Sequence, residues 1–455
     1  MTFNRKNQIL ALEKLYSSEN NEAVVYYSSI DSDIHEIVHD FLLGKDYFYY
    51  KASPVSSDEQ LLLFEAEIRE QIIKSNISDV SYASILEAML SVKCEKRVIV
   101  IDEFQNIIKY STELINEIIK CVNNKWENQQ VFFILLSSNS YFVENQMVEK
   151  LKEMAYELSR LIKLPDLSFV DLIQYFPKYS RKDLIITYAI TGGKAKRIKA
   201  FDANLSIKDN IINNILSEES FLFNRGFDIL PKELREHSVY NTILLNIALG
   251  HEKLNELHKI TGFSRAKISV YINNLIEHDL IEKIDSYDSD GRENSEKGIY
   301  SIKDEFLSFF YRFIYPNRSL LVITEKEKFY KKYIAPYLND FAKKSFRKVC
   351  LEYLLILNKM DKLPIKLTDV GTWVGKVGTI DIIGQDNSGH TLIGLCEFEK
   401  DVMTFEDFEW LKFCVSQAKL NSDLFYLFTK KEFDERIHSY AKENSNVFLM
   451  DLSML

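Results

Sequence analysis

The chain has 455 residues and a formal net charge of -10, with 46% hydrophobic and 13% aromatic residues but only 14 Gly and 7 Pro. That length suits roughly two to four domains, and that composition is the profile of a folded, helix-rich globule and not of a disordered chain. No stretch reaches the ~18 apolar residues of a membrane span; the five cysteines contain no CxxC pair, and the acidic balance disfavours diffuse attachment to nucleic acid.

In chain order, residues 1–150 alternate short apolar runs (Ala23 to Tyr27, Tyr47 to Ala52, Val98 to Ile101, Val131 to Leu136) with longer amphipathic stretches. Buried parallel strands with crossover helices have this pattern, so an α/β layer is expected there. Over 151–236 strand signals fade and helical spacing surrounds Gly192-Gly193, which predicts a helical lid. Residues 237–302 contain three helical patterns and a hairpin-like tail, the layout of a winged helix-turn-helix, with Gly262 in the turn and Ser264 as N-cap of the recognition helix. A basic helical connector covers 303–340. Residues 341–455 run from a helix through the strands TIDIIG and TLIGLCEFE, a second helix, and the strands LFYLFT and NVFLMDL, which is a second α/β domain. The expected fold class is therefore α/β and multidomain, in a cytoplasmic protein with reduced thiols.

Several segments, taken in order, resemble a known family: Phe3-x-Arg5, VIVIDEFQNI, FFILLSSNS, Arg160 before IKLPDL, YAITGG ending at Gly193, YNTILLNIALG, FLSFFYRFIYP, and VGTWVGK followed by TIDII. The chain is similar along nearly its full length to archaeal and bacterial ATPases that join a P-loop AAA-type module, a winged helix and a restriction-endonuclease-like domain. A phosphate-cradling loop needs Gly-x4-Gly-Lys-Ser/Thr, because glycine lets backbone amides close on the β-phosphate, lysine supplies charge and the hydroxyl holds magnesium. Here the segment is VVYYSSIDSDIHEIV: Tyr27 and Ser32 stand at the glycine positions, Asp33 at the lysine position and Ile34 at the hydroxyl position. An aspartate there repels a triphosphate. The Walker B strand survives and ends in Asp102 and Glu103, which the resemblance makes metal ligand and catalytic base; the alternative is that they persist for fold reasons. Ser137, Ser138 and Asn139 as a sensor, and Arg160 as a finger, carry the same two readings.

Two further patterns bear on metal chemistry. His35-Glu36-Ile37-Val38-His39 matches HExxH, but no third zinc ligand follows at a usual spacing, so no metal site and two ordinary helix histidines are expected. In the C-terminal domain the resemblance places Asp381 at the first nuclease carboxylate. It also places Leu395 and Glu397 where glutamate and lysine belong, Phe398 at the tryptophan and Arg347 at the upstream glutamate. A second register remains open, in which strand period 2 gives Asp381, Glu397 and Glu399 as an acidic trio.

Residues 251–283 carry five basic and five acidic side chains, and 284–298 two basic and five acidic, so the wing is poorly suited to phosphates. Arg265 and Lys267 are the candidate contacts on the recognition helix. Residues 299–350 hold eleven Lys/Arg against five Asp/Glu, including Lys331 and Lys332. That segment is either a nucleic-acid face or a docking face for the acidic remainder. The resulting expectation is a pseudo-ATPase that scaffolds nucleic acid or protein, with no cofactor unless the degenerate site still takes ATP and magnesium. Its partners are DNA, another protein or a second copy, and no membrane. The alternatives are an active ATPase, a metal-dependent nuclease with atypical residues, or a pure protein scaffold.

Overall fold

The computed structural model describes residues 3–72, 80–123, 130–231, 234–287 and 298–455. They divide into two compact units, Met1–Leu167 with Lys194–Lys196, and Ser168–Gly193 with Arg197–Leu455. No helix among the described residues is long and apolar enough to cross a membrane.

The first unit is built on five parallel strands, β1 (Glu22–Tyr27), β2 (Asp46–Lys51), β3 (Lys96–Asp102), β4 (Gln130–Ser137) and β5 (Arg160–Lys163), in the order β2-β3-β4-β1-β5. The four expected strands lie where the apolar runs placed them. β5 falls where only helix was expected: RLIK is a short edge strand, largely exposed, and has no continuous apolar run to announce it. Alternate residues of the central strands feed two separate cores. Val24, Val98, Phe132 and Ile134 pack with helices α1 (Lys6–Tyr16) and α2 (Ile34–Leu42), while Val25, Ile99, Phe133 and Leu135 pack with helices Ser57–Gln71, Tyr82–Ser91 and Glu113–Asn123. Both sheet faces are covered, which is why these strands read as unbroken hydrophobic runs.

In the second unit, helices α3 (Arg181–Thr191), α4 (His237–Ala248), α5 (Leu254–Thr261) and α6 (Arg265–Glu277) precede an antiparallel pair, β6 (Ile281–Ile284) and β7 (Ile299–Ile302). Gly262 ends α5 with φ +71°, and the Ser264 hydroxyl accepts the Lys267 N–H at the start of α6, as its sequence position implied. Residues 288–297, most of the expected wing, lie outside the described residues. The long helix α7 (Leu338–Lys359) then leads to a five-stranded mixed sheet. Strands β8 (Asp369–Val374), β9 (Thr379–Gln385) and β10 (Thr391–Glu397) pair antiparallel, and β11 (Leu424–Thr429) and β12 (Val447–Asp451) continue parallel from β10. β8 comes from VGTWVGK, which sequence patterning did not mark as a strand. A fully buried Arg197, bonded at 2.8 Å by each of two guanidinium nitrogens to Asp304, anchors the helical part of this unit.

Candidate functional site

In the first sheet β4 lies between β1 and β3, so the loop leaving β1 and the carboxylates ending β3 meet at the carboxyl edge. There the strand order reverses, and such reversals are where open α/β sheets place their sites. Ser28 to Asp33 form that loop, and α2 begins at Ile34 with Asp33 as its N-cap residue. A helix N-terminus attracts an anion through its unpaired amides and its dipole. Here the N-cap residue is itself an acid, but its side chain makes no bond to the helix amides and turns to Arg5 instead. The buried Asp33 carboxylate accepts from Arg5 Nε at 3.0 Å and from a second Arg5 nitrogen at 2.9 Å, and Arg5 also donates to the Pro165 carbonyl. Lys194 is likewise committed, donating to the Ser29 hydroxyl at 2.6 Å and the Asp166 carboxylate at 2.5 Å. The Ser32 hydroxyl pairs with Ser28 at 2.6 Å, Tyr27 donates to Glu144, and Ile34 is buried in the α2 core. Tyr27, Ser32, Asp33 and Ile34 are thus each bonded or packed within the same unit.

Asp102, at the end of β3, is 1% exposed. His35 Nε2 lies 3.1 Å from each of its oxygens, Tyr49 Oη donates to it at 2.9 Å, and Lys51 Nζ stands 3.6 Å away. Burial pushes its carboxyl up, but the His35 and Tyr49 hydrogen bonds and the charge of Lys51 outweigh that and hold it below the ordinary aspartate range. Glu103 adopts φ +53°, a conformation that costs a non-glycine residue strain, and accepts from the Ser138 hydroxyl at 2.6 Å. Ligand atoms of His35, Asp102 and Glu103 all lie within 4.8 Å of one another. His39 does not join them; its side chain is 74% exposed, so the HExxH pair shares no site. Arg160 pairs in register with Val24, three residues before the end of β1, which sets it about 10 Å back from the site edge.

The contributions of Arg5, Lys194 and Tyr49 were not legible in the sequence. Phe3-x-Arg5 was visible as a motif, and Lys194 follows Gly192-Gly193, but neither signal says which carboxylate each cation meets.

In the second unit Asp381, on β9, accepts the Cys396 N–H at 2.9 Å and faces Arg347 at 3.8 Å. Burial raises its carboxyl above the ordinary range, with Arg347 acting against that. Glu397 turns onto its own chain and accepts the N–H groups of Glu399 and Lys400, while Glu399 pairs with Lys343. Among the described residues, the trio Asp381, Glu397 and Glu399 is not gathered around one point. Of the candidate nucleic-acid contacts, Arg265 donates to Asn255, and Lys267 lies over the Phe263 and Tyr271 rings and 3.7 Å from Glu236. Lys331 pairs with Glu327, and Lys332 lies over Tyr333.

The first unit is an α/β domain on a five-stranded parallel sheet, and residues 3–201 match a family described as an ATPase domain predominantly from Archaea. Residues 310–407 match a second family, described as archaeal and bacterial proteins of unknown function. An uncharacterized protein of Methanocaldococcus jannaschii, MJECL04, is 24% identical over 99% of both chains. Among solved structures, a Walker-type ATPase of Pyrococcus abyssi aligns with a TM-score of 0.48 and 16% identity, covering 69% of this chain and 96% of that one. The ORC2 protein of Aeropyrum pernix, in ADPNP and ADP complexes, aligns with a TM-score of 0.42 and 13% identity, covering 68% and 92%.

Proposed function

We propose that the chain is a pseudo-ATPase, a P-loop-type module that no longer holds a nucleoside triphosphate and serves as a scaffold for nucleic acid or protein. The observation that carries this is the buried Asp33–Arg5 pair, since the residue at the position expected for the phosphate-binding lysine is an acid, and its countercharge is already supplied inside the unit, so it offers a β-phosphate no cation. Calorimetry of the whole protein with ATP or ADP and Mg²⁺ tests it. The expected dissociation constant is no tighter than about 1 mM, worth roughly 4 kcal/mol of binding; micromolar affinity overturns the reading.

The same proposal reads α4 to α6 with β6 and β7 as a winged helix, and the mixed sheet as an endonuclease-like fold without cutting activity. Support comes from Arg347, a cation beside Asp381 where the resemblance expects a carboxylate, and from Glu397, whose carboxylate is spent on its own turn. Metal-assisted hydrolysis needs a carboxylate pair on one ion and a cation or base beside the attacking water. Incubation of supercoiled and single-stranded DNA with the protein and Mg²⁺ or Mn²⁺ is expected to leave both intact. Cleavage that vanishes in Asp381→Ala would sink this part of the proposal.

A further inference from the structure

We infer that the carboxyl edge of the first sheet binds a divalent transition-metal ion directly, without nucleotide, through His35, Asp102 and Glu103. The inference rests on the proposed loss of triphosphate binding, because an imidazole here replaces what a nucleotide's phosphates would otherwise contribute.

Geometry comes first. Around an ion with bonds of about 2.1 Å, neighbouring ligand atoms are spaced roughly 3.0 Å in an octahedral shell and 3.4 Å in a tetrahedral one. The His35 Nε2 to Asp102 separations of 3.1 Å, now a hydrogen bond, match that spacing, so an ion would take the place of the proton the two groups share. Glu103 completes the set within 4.8 Å, so closing on an ion requires its side chain to move by roughly 1–2 Å, a rotamer adjustment.

The surroundings hold these groups in place. Tyr49 Oη donates to one oxygen of Asp102, and the Ser138 hydroxyl donates to Glu103, which is how outer partners orient metal ligands. The positive φ of Glu103 spends backbone strain on keeping that carboxylate beside its neighbour. Lys51, the cation an ion would displace, is 63% exposed and free to swing into solvent. One imidazole with two carboxylates suits Zn²⁺, Co²⁺ or Mn²⁺ better than Mg²⁺, which favours oxygen ligands in a strict octahedron. The donor on α2 and the donors at the end of β3 would then be tied by coordination.

The full-length protein, stripped with chelator and dialysed, is titrated with Zn²⁺ by calorimetry and with Co²⁺ by visible absorption, each with and without ATP. One equivalent is expected, independent of ATP, with affinity at least tenfold weaker in both His35→Gln and Glu103→Gln. His35→Gln retains a donor toward Asp102, and circular dichroism confirms that it stays folded. Unchanged affinity in folded His35→Gln, or no stoichiometric binding of either ion under any condition, overturns the inference and leaves the loss of triphosphate binding standing. Metal uptake that requires ATP overturns both.

Discussion

At the scale of single residues, Asp33 and Arg5 stand 28 positions apart in sequence and are almost fully withdrawn from water. Breaking a buried pair leaves an uncompensated charge and costs about 3–5 kcal/mol, whereas replacing both partners with apolar groups is close to neutral. Urea unfolding should therefore show Arg5→Met strongly destabilised and Arg5→Met with Asp33→Leu largely recovered; additive losses would exclude the pairing as the reason for burial. Glu252 gives a different residue-scale expectation. Burial raises its carboxyl above the ordinary glutamate range, against the opposing charges of Lys344 and Arg347. The folded state then keeps this proton longer than the unfolded chain does, so its contribution to stability is greatest in acid and is lost as pH climbs from the ordinary range through the raised value. Glu252→Gln should flatten that part of the stability profile, and an unchanged profile would show that the group titrates normally. In the sequence, Asp33 was visible at the position where the resemblance expects lysine, but its partner was not, because local spacing carries no information about a contact 28 residues away.

At the scale of elements, the long apolar runs identified β1 to β4, and the Gly262–Ser264 step identified the α5–α6 turn. Where the sequence was silent the reason is local: β5 is four residues of a half-wet edge, and β8 is interrupted by glycine, with its register shifting between Gly371 and Trp373. Packing between helices is equally specific. A Cβ on Gly226 would meet the Phe310 ring at 2.2 Å, nearer than any real contact. Gly226→Ala should therefore destabilise by about 1–3 kcal/mol through forced repacking, read as a fall in the urea midpoint; a neutral outcome would mean that the Phe310 ring has room to move.

For the whole molecule, net charge and basic clustering point in opposite directions, and the structure shows where much of the positive charge goes. Lys344 bonds Glu282, Ser301 and the Ile302 carbonyl, Lys348 bonds Glu305 and Arg312 bonds Asp340, so these cations serve the second unit itself. Any DNA affinity should accordingly be weak, sequence-tolerant and steeply salt-dependent, carried by outward lysines such as Lys331 and Lys332. Fluorescence anisotropy across a salt series should show it reduced in Lys331→Glu with Lys332→Glu. Salt-insensitive binding, or no change in that double variant, would remove the segment from consideration. The sequence registered the excess of basic residues but not their neutralisation, since the acidic partners come from distant positions such as Glu282.

The Arg5–Asp33 pair also bears on history. A descendant cannot regain a phosphate loop by restoring lysine alone: Asp33→Lys would set a second cation against Arg5 in a space closed to water, and reverting Arg5 first would strand the aspartate. Every one-step path back passes through a protein that folds less well than either end. On the proposed reading, loss of the nucleotide at this site would be a ratchet, held by packing even where selection for the loss has ceased.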